Sequence, residues 1–595
     1  MHSDRRKFLK SLGFFTLTPY SILLSQSKAA RANDTEADLV FPLSVASGDP
    51  APDGVVLWTR VNPAVVINRS EPLYFEVASD RSFTSVLYRG VIDGSELHEG
   101  RDYTVSVDLA QKPEAQLQPF TRYYYRFIYR DTSSRIGCCK TLPNADDELA
   151  RLRFAQLTCQ DYTSGYFAAL DAVADEVDLD FVVHLGDFVY EYARYPDVKN
   201  LPRAIAIPQQ AAVSLEDFRF IYREYRKDRS LQRAMENHTW IITTDDHETA
   251  NDCYWDYAQD ALGLPAGEHP LSAASTTEKN RLKLAAQRAW VEYVPARVEL
   301  NPDATHPWDY LKIYRKFRFG RLGELYMTDT RTYRSVGSAS VNAENNELLP
   351  AGMMPTMLGT EQKAWLIDGM RTSSAQWQIW GNQTLLGQFG VLERISGRNL
   401  TLLAGTDAWD GYPEERRDVL EALHSKVEGR LLVLTGDLHT YLTSYVKLDY
   451  NQASNSDRDN VIGIELMTPS ITSSNFADSL RVRAEVAEEN GAPQFIDRVY
   501  RFIGEQYIQG PLQETVLDSK IRLANPHFAD FGAVYYGYTV VELKPETVEW
   551  RVYHVDRLKK TLAEAKRKKV RHQRYHFKDR KIQNIFWPFG SSSQG

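Results

Sequence analysis

Four apolar stretches of this chain stop abruptly on side chains that bind metals. Residues 179–185 run into Gly186-Asp187-Phe188-Val189-Tyr190, residues 240–243 into Asp245-Asp246-His247-Glu248, and residues 431–434 into Gly436-Asp437-Leu438-His439. The fourth stretch, residues 152–157, ends in Thr158-Cys159-Gln160. In open α/β sheets the carboxyl ends of the strands converge on a crevice, so residues distant in sequence become neighbours there. One such ending arises easily by chance. Four together predict a single metal-bearing active site.

The remaining pattern sets out the domains. Residues 38–143 read as short strands such as Val55-Val56-Leu57-Trp58-Thr59-Arg60, Leu73-Tyr74-Phe75-Glu76-Val77 and Tyr123-Tyr124-Tyr125-Arg126-Phe127, with turn signals at Asp53-Gly54 and Asp93-Gly94. That spacing predicts a small all-β, immunoglobulin-like sandwich. After the polar linker at 144–148, residues 150–555 alternate apolar strands with helical stretches at 215–227, 277–293 and 360–370. This is the α/β (α+β layered) pattern of packed mixed sheets flanked by helices. Between Arg557 and Lys581 twelve Lys and Arg stand against two acids, Glu564 and Asp579. Residues 556–595 therefore read as a solvated basic C-terminal tail. The sharper alternative is a contact with an anionic lipid or cell-surface polymer, helped by Phe586-Trp587-Pro588-Phe589.

Residues 1–32 read as a twin-arginine export signal: Asp4-Arg5-Arg6-Lys7-Phe8-Leu9-Lys10, then an apolar stretch, then Ala30-Arg31-Ala32. Pro19 and several hydroxyl residues interrupt the apolar stretch, which falls short of the roughly 20 residues a membrane span needs. Passage through the twin-arginine machinery predicts a periplasmic or secreted protein, folded around its cofactor before export. The leader carries six Lys and Arg and one Asp, so the formal charge of −9 becomes −14 without it. Such a balance disfavours nucleic acid as a specific partner. Of the four cysteines, Cys138 and Cys139 are adjacent and pair poorly, leaving Cys159 available as a ligand.

An ion that activates water must be held by anionic or imidazole ligands with positions left open. Asp187 is placed to bridge two ions, and Tyr190 can turn back from the same loop to donate a phenolate. Ferric iron is acidic enough to take one. Cys159 and His439 complete an S/O/O/N set; a buried structural thiol is the ordinary reading of such a cysteine, but the place of Cys159 at a strand end beside Gln160 favours a ligand. The second ion is left with Asp187, Asp246 and Asp437, and with Asn382 of Trp380-Gly381-Asn382-Gln383. That set is nearly all oxygen and favours calcium over zinc. His247 is the candidate general acid.

In their order, Gly-Asp-x-x-Tyr, Asp-Asp-His-Glu and Gly-Asp-x-His resemble the calcineurin-like and purple-acid-phosphatase theme. Their acidic substitutions, together with the Cys159 strand end, resemble the PhoD-type alkaline phosphatases and phosphodiesterases. Ser47-Gly48-Asp49-Pro50, Asp329-Thr330-Arg331, Met357-Leu358-Gly359 with Gln362 and Trp365, Asp410-Gly411-Tyr412-Pro413 and Asn525-Pro526-His527 agree with that resemblance. It spans residues 41–543. The family implies an N-terminal sandwich and a four-layer metallophosphoesterase core holding one Fe³⁺ and one or two Ca²⁺. Carried over, Cys159, Asp187, Tyr190 and His439 match iron ligands, and Asp246 and Asp437 match calcium positions. Asn382 carries over less firmly.

The expected reaction is hydrolysis of phosphate monoesters, and of diesters, by in-line attack of a metal-held hydroxide. Arg331 would draw off charge and His247 would protonate the leaving oxygen. For Arg331, a structural pair with Asp329 or Asp407 is the competing reading. Rival functions are a phospholipase D or phosphodiesterase acting on lipid or cell-wall polymer diesters, and a catalytically inert surface-binding protein.

Overall fold

The computed structural model describes residues 34–115, 117–194, 201–337, 349, 352–395, 398–403, 407–452, 454–489 and 513–585. The proposed leader and the aromatic run 586–589 lie outside the described residues.

Two sheets face each other. The ten-stranded sheet runs, in spatial order, Lys581–Asn584, Lys568–His576, Thr547–His554, Gly537–Leu543, Leu152–Leu157, Phe181–His184, Thr239–Ile242, Val45–Ala51, Gly54–Arg60 and Thr104–Asp108. The seven-stranded sheet runs Arg315–Phe319, Gly323–Met327, Trp377–Gly381, Leu431–Thr435, Val461–Met467, Tyr441–Lys447 and Phe528–Gly532. Period-two alternation sorts each strand's side chains between two cores. Leu152, Phe154, Phe181, Val183 and Ile241 meet Leu325, Met327, Ile379, Leu432 and Leu434 between the sheets. Ala155, Leu157, Val182 and Trp240 point outward to the helices Ala168–Ala174, Leu215–Arg226, Arg229–Asn237 and Thr276–Tyr293. Leu431 and Val433 point the other way, to Gly359–Thr372 and Pro413–Val427. The core is therefore the expected four-layer arrangement. Each fully buried Leu, Phe or Val contributes about 1.5–3 kcal/mol to holding the layers together.

The middles of both sheets are parallel. Leu152–Leu157, Phe181–His184 and Thr239–Ile242 run together, as do Gly323–Met327, Trp377–Gly381, Leu431–Thr435 and Val461–Met467. Gln156 stitches the two sheets by donating to the carbonyls of Thr435, at 3.0 Å, and Leu466, at 2.9 Å. Gln383 does the same, donating to the Thr243 hydroxyl at 3.1 Å and to the Thr328 carbonyl. These buried amides fix the two sets of carboxyl ends against each other.

The structure adds to one expectation and corrects another. A sandwich is present, with Leu73–Ala78, Val86–Ile92, Arg122–Tyr129 and Gly137–Lys140 in one sheet, but its other sheet is the end of the ten-stranded sheet. Val45–Ala51 pairs in parallel with Thr239–Ile242, and Val45, Val55, Leu57 and Val107 pack on Phe75, Val77, Tyr125 and Phe127. The N-terminal sandwich and the core thus share the ten-stranded sheet. The segment expected to be a solvated tail forms two further strands at the opposite edge of the same sheet. Gln573 and Tyr575 are buried there, while Arg571 pairs with Asp530, Arg574 and His572 with Glu549, and Arg567 with Glu176. Lys568, Lys569 and Arg574 are exposed positions of the penultimate strand, which Lys581–Asn584 covers as the edge of the sheet. Among the described residues no helix is long and apolar enough to cross a membrane.

Candidate metal centre

The four polar strand ends meet. Single atoms of Cys159, Asp187 and His439 lie within 4.8 Å of one another, as do those of Asp187, Asp246 and His247, and those of Asp245, Asp246 and Asp437. Asp187 belongs to two of these groups, as a bridging carboxylate must. Tyr190 joins the first: its hydroxyl donates to Asp187 Oδ2 at 2.9 Å, lies 3.4 Å from His439 Nε2, and accepts from Ser473 Oγ at 2.6 Å. The His439 Nδ1–H donates to the Ser474 carbonyl at 2.7 Å, which leaves the Nε2 lone pair facing the cluster.

The backbone is bent to achieve this. Cys159, Asp187, Asp437 and His439 all hold positive φ, between 54° and 63°. Such angles are uncommon for residues with a Cβ and gather where a site requires them. Gly186, at φ 104°, permits the turn: a Cβ there would come within 2.4 Å of the Asp245 backbone nitrogen. Glu248 holds the two loops together. Its carboxylate accepts from the backbone N–H groups of Asp245 (2.8 Å), Asp187 (3.1 Å) and Phe188 (2.6 Å).

Electrostatics give the cluster its chemistry. Burial, and then the Asp187 charge, push the Cys159 thiol well above its ordinary range, and the same two causes raise Tyr190. Burial also raises Asp187, and raises Asp437 to about 8 against the pull of Arg331. His439 falls to about 4, mainly through burial, so its imidazole is neutral as a ligand must be. A thiol, a phenol, an imidazole and shared carboxylates suit a transition-metal ion at the first group, and carboxylates alone suit an oxygen-preferring cation at the third. The residues fit bound metal.

His247 is held from behind, its Nδ1–H donating to Glu191 Oε2 at 2.7 Å, and its ring lies over Tyr190 with centroids 4.0 Å apart. Burial alone would lower its pKa. The carboxylates of Glu191, Asp187 and Asp246 outweigh burial and hold the imidazole well above its ordinary value.

Arg331 is buried among acids: Nε donates to Asp245, NH1 to Asp407 at 3.1 Å and NH2 to Asp437 at 2.7 Å, with Asp246 at 3.6 Å. The pairing with Asp407 is as expected, whereas Asp329 accepts only from the Arg331 and Thr332 backbone N–H groups. Asn382 is committed elsewhere, its Nδ2 donating to the Thr384 carbonyl and its Oδ1 accepting from Trp409 Nε1 at 3.0 Å. One Oδ1 lone pair remains for any other use.

Sequence reasoning left Glu191, Glu248 and Asp245 without roles. The last two stand inside the Asp-Asp-His-Glu motif and Glu191 directly follows Tyr190, so proximity to the motif was the available signal. All four cysteines are free and buried.

With this geometry in hand, comparison with known proteins is direct. A family model described as PhoD-like phosphatase matches residues 154–549, and one described as PhoD-like phosphatase, N-terminal domain, matches residues 26–143. Alkaline phosphatase D of Bacillus subtilis (strain 168) is 30% identical over 505 residues, covering 83% of this chain and 80% of that protein. A solved structure described as that of PhoD is similar with a TM-score of 0.73 at 26% identity, covering 92% of each chain.

Proposed function

The chain belongs to the PhoD-like phosphatase family and is a phosphoric ester hydrolase, and from that premise we propose that it hydrolyses phosphate monoesters and diesters at the cluster around Asp187. The observation that carries this reading is the convergence of Cys159, Asp187 and His439 donor atoms within 4.8 Å, with the Tyr190 hydroxyl 2.9 Å from Asp187.

Cys159, Asp187, Tyr190 and His439 would hold Fe³⁺. Asp187, Asp246 and Asp437 would hold one or two Ca²⁺, with Asp245 adjoining and Asn382 as a further oxygen donor. When bound, these ions supply Lewis acidity toward the phosphoryl oxygens and toward water. The chain's own residues supply the rest. Glu248 and the left-handed turns fix the donors before substrate arrives, so little reorganisation remains for the reaction. His247, held through Nδ1 by Glu191, is placed to give a proton to the departing ester oxygen, and Glu191 holds the ring and steadies the charge. Arg331 faces the growing negative charge on the phosphoryl group, as its contact with Asp437 at the cluster suggests. Water is the nucleophile. No serine or threonine is needed as a covalent carrier.

Export by the twin-arginine route belongs to the same proposal, on the strength of Arg5-Arg6 and the apolar stretch after them. The exposed Lys559, Lys560, Lys566 and Lys568 suit contact with an anionic surface.

The test is elemental analysis of the exported protein beside assays on p-nitrophenyl phosphate and its bis ester. Iron and calcium accompanying both activities support the proposal. Full activity without iron would reject the ligand assignment.

A further inference from the structure

Behind the turn that carries Arg331 lies a cavity of about 20 Å³, larger than the roughly 10–15 Å³ that one internal water needs. Helix Thr276–Tyr293, started by a Ser275–Glu278 capping box, sends Lys283, Gln287 and Trp290 to its wall at spacings of four and three residues. That is one face of a helix. The rest of that face, including Leu282, Ala286 and Ala289, is apolar core, so a buried lysine and glutamine there require partners. Asp329 lines the same cavity.

The polar atoms at this wall are incomplete. Trp290 Nε1, Gln287 Oε1, Asp329 Oδ2 and Asp245 Oδ2, all on residues lining the cavity, have no hydrogen-bond partner among the described residues. Lys283 Nζ donates to Thr332 Oγ1 at 3.3 Å and carries two further protons. Two donors and three acceptors border a space for one molecule, and one water can bond to both donors and two of the acceptors; Asp245 is already engaged with Arg331 through its other oxygen. We propose that one ordered water occupies this cavity, accepting from Trp290 Nε1 and Lys283 Nζ and donating to Gln287 Oε1 and Asp329 Oδ2, and that Lys283 is thereby a positioning residue for Arg331.

The link to the reaction runs through a single carboxylate. Asp329 Oδ1 accepts from the backbone N–H of Arg331 at 3.0 Å and of Thr332 at 2.8 Å, so it shapes the turn from which the guanidinium reaches the acids. Gln362 braces the same residue, accepting from the Asp329 N–H at 2.7 Å and donating to its carbonyl at 2.8 Å. The water and Lys283 set the orientation of the carboxylate, and the carboxylate sets Arg331. This positioning role rests on Arg331 acting on substrate charge, whereas the water site does not.

Two measurements test it. A crystal structure of the metal-loaded enzyme should show a water within hydrogen-bond distance of all four atoms, and a cavity that is empty or filled by rearranged side chains would overturn the water. Lys283→Met should lower kcat on p-nitrophenyl phosphate roughly ten- to hundredfold with KM little changed, as expected when a catalytic group is misplaced rather than removed. Arg331→Gln sets the baseline for a cycle. The double variant should be no slower than Arg331→Gln alone, because Lys283 acts only through that residue. Additive losses would overturn the positioning role while leaving Arg331 catalytic. An unchanged kcat in Arg331→Gln would instead remove the Arg331 reading, and the positioning role with it. If Lys283→Met fails to fold, Gln287→Leu removes one partner of the water, keeps the ammonium, and runs through the same cycle.

Discussion

Glu191 Oε2 lies 2.7 Å from Nδ1 of His247, and this carboxylate is the first of those holding the imidazole above its ordinary pKa. A general acid made in this way matters most for leaving groups that need a proton. His247→Ala and Glu191→Gln should therefore cost on the order of 10²-fold or more in kcat on alkyl phosphates, and only a few-fold on p-nitrophenyl phosphate. Equal losses on both substrates would remove His247 from the acid role. Loss of bound metal in His247→Ala would make it a ligand, a role its closeness to Asp187 and Asp246 also permits.

Glu248 accepts three backbone N–H groups from two loops. Glu248→Ala leaves all three donors buried without an acceptor, each at a cost of about 1–3 kcal/mol. Chemical denaturation of the variant should show a loss of about 3 kcal/mol or more, together with weaker metal retention. A change below about 1 kcal/mol would mean that the loops hold themselves.

The sequence made the strand ends legible because an apolar run followed at once by Gly-Asp or Asp-Asp-His-Glu has few other meanings. The alternation of apolar strands with helical stretches pointed to a layered sheet domain, and the four-layer count came from the family resemblance. Two architectural features were hidden in it. Val45–Ala51, with Gly48 and Pro50 inside it, has a poor strand composition, yet it pairs with Thr239–Ile242, a contact nearly two hundred residues away that no local signal encodes. In Lys568–His576 the count of basic residues masked the inward pair Gln573 and Tyr575, which is what places the segment in the sheet. Glu191 and Glu248 went unassigned for a different reason. A buried carboxylate that serves backbone amides or an imidazole has no periodic signature and is identified only by its partners.

Glu465 provides a pH test away from the cluster. It is fully buried, accepts from the backbone N–H groups of Leu386 (2.8 Å) and Gly387 (3.0 Å), and is raised by burial from 4.5 to about 7. The unfolded chain loses this proton near 4.5, so between there and 7 the folded state binds more protons and stability falls as pH rises. Relative to Glu465→Gln, the native protein should lose about 3 kcal/mol between these limits, measured by denaturation at a series of pH values. Parallel pH profiles for the two proteins would show that Glu465 does not titrate in this range.

The carboxylate group formed by Asp245, Asp246 and Asp437 should bind a hard cation. A calcium-selective chelator should abolish hydrolysis, and added Ca²⁺ should restore it without loss of iron. Asp437→Asn should raise the Ca²⁺ concentration needed for half-maximal activity by roughly tenfold or more, a loss of the size seen when a site gives up charge. Restoration by Zn²⁺ and not Ca²⁺ would contradict the assignment.

Tyr190 sits with Cys159, Asp187 and His439 at the point where the four strand ends meet. If these residues bind ferric iron, phenolate and thiolate donation should colour the purified enzyme through a ligand-to-metal charge-transfer band. The decisive measurement is the visible spectrum of active enzyme, native and Tyr190→Phe, with iron content determined on the same samples. One iron per chain and a band lost or shifted in the folded variant are the expected results. A colourless, iron-free protein with full phosphoesterase activity would contradict the proposed centre.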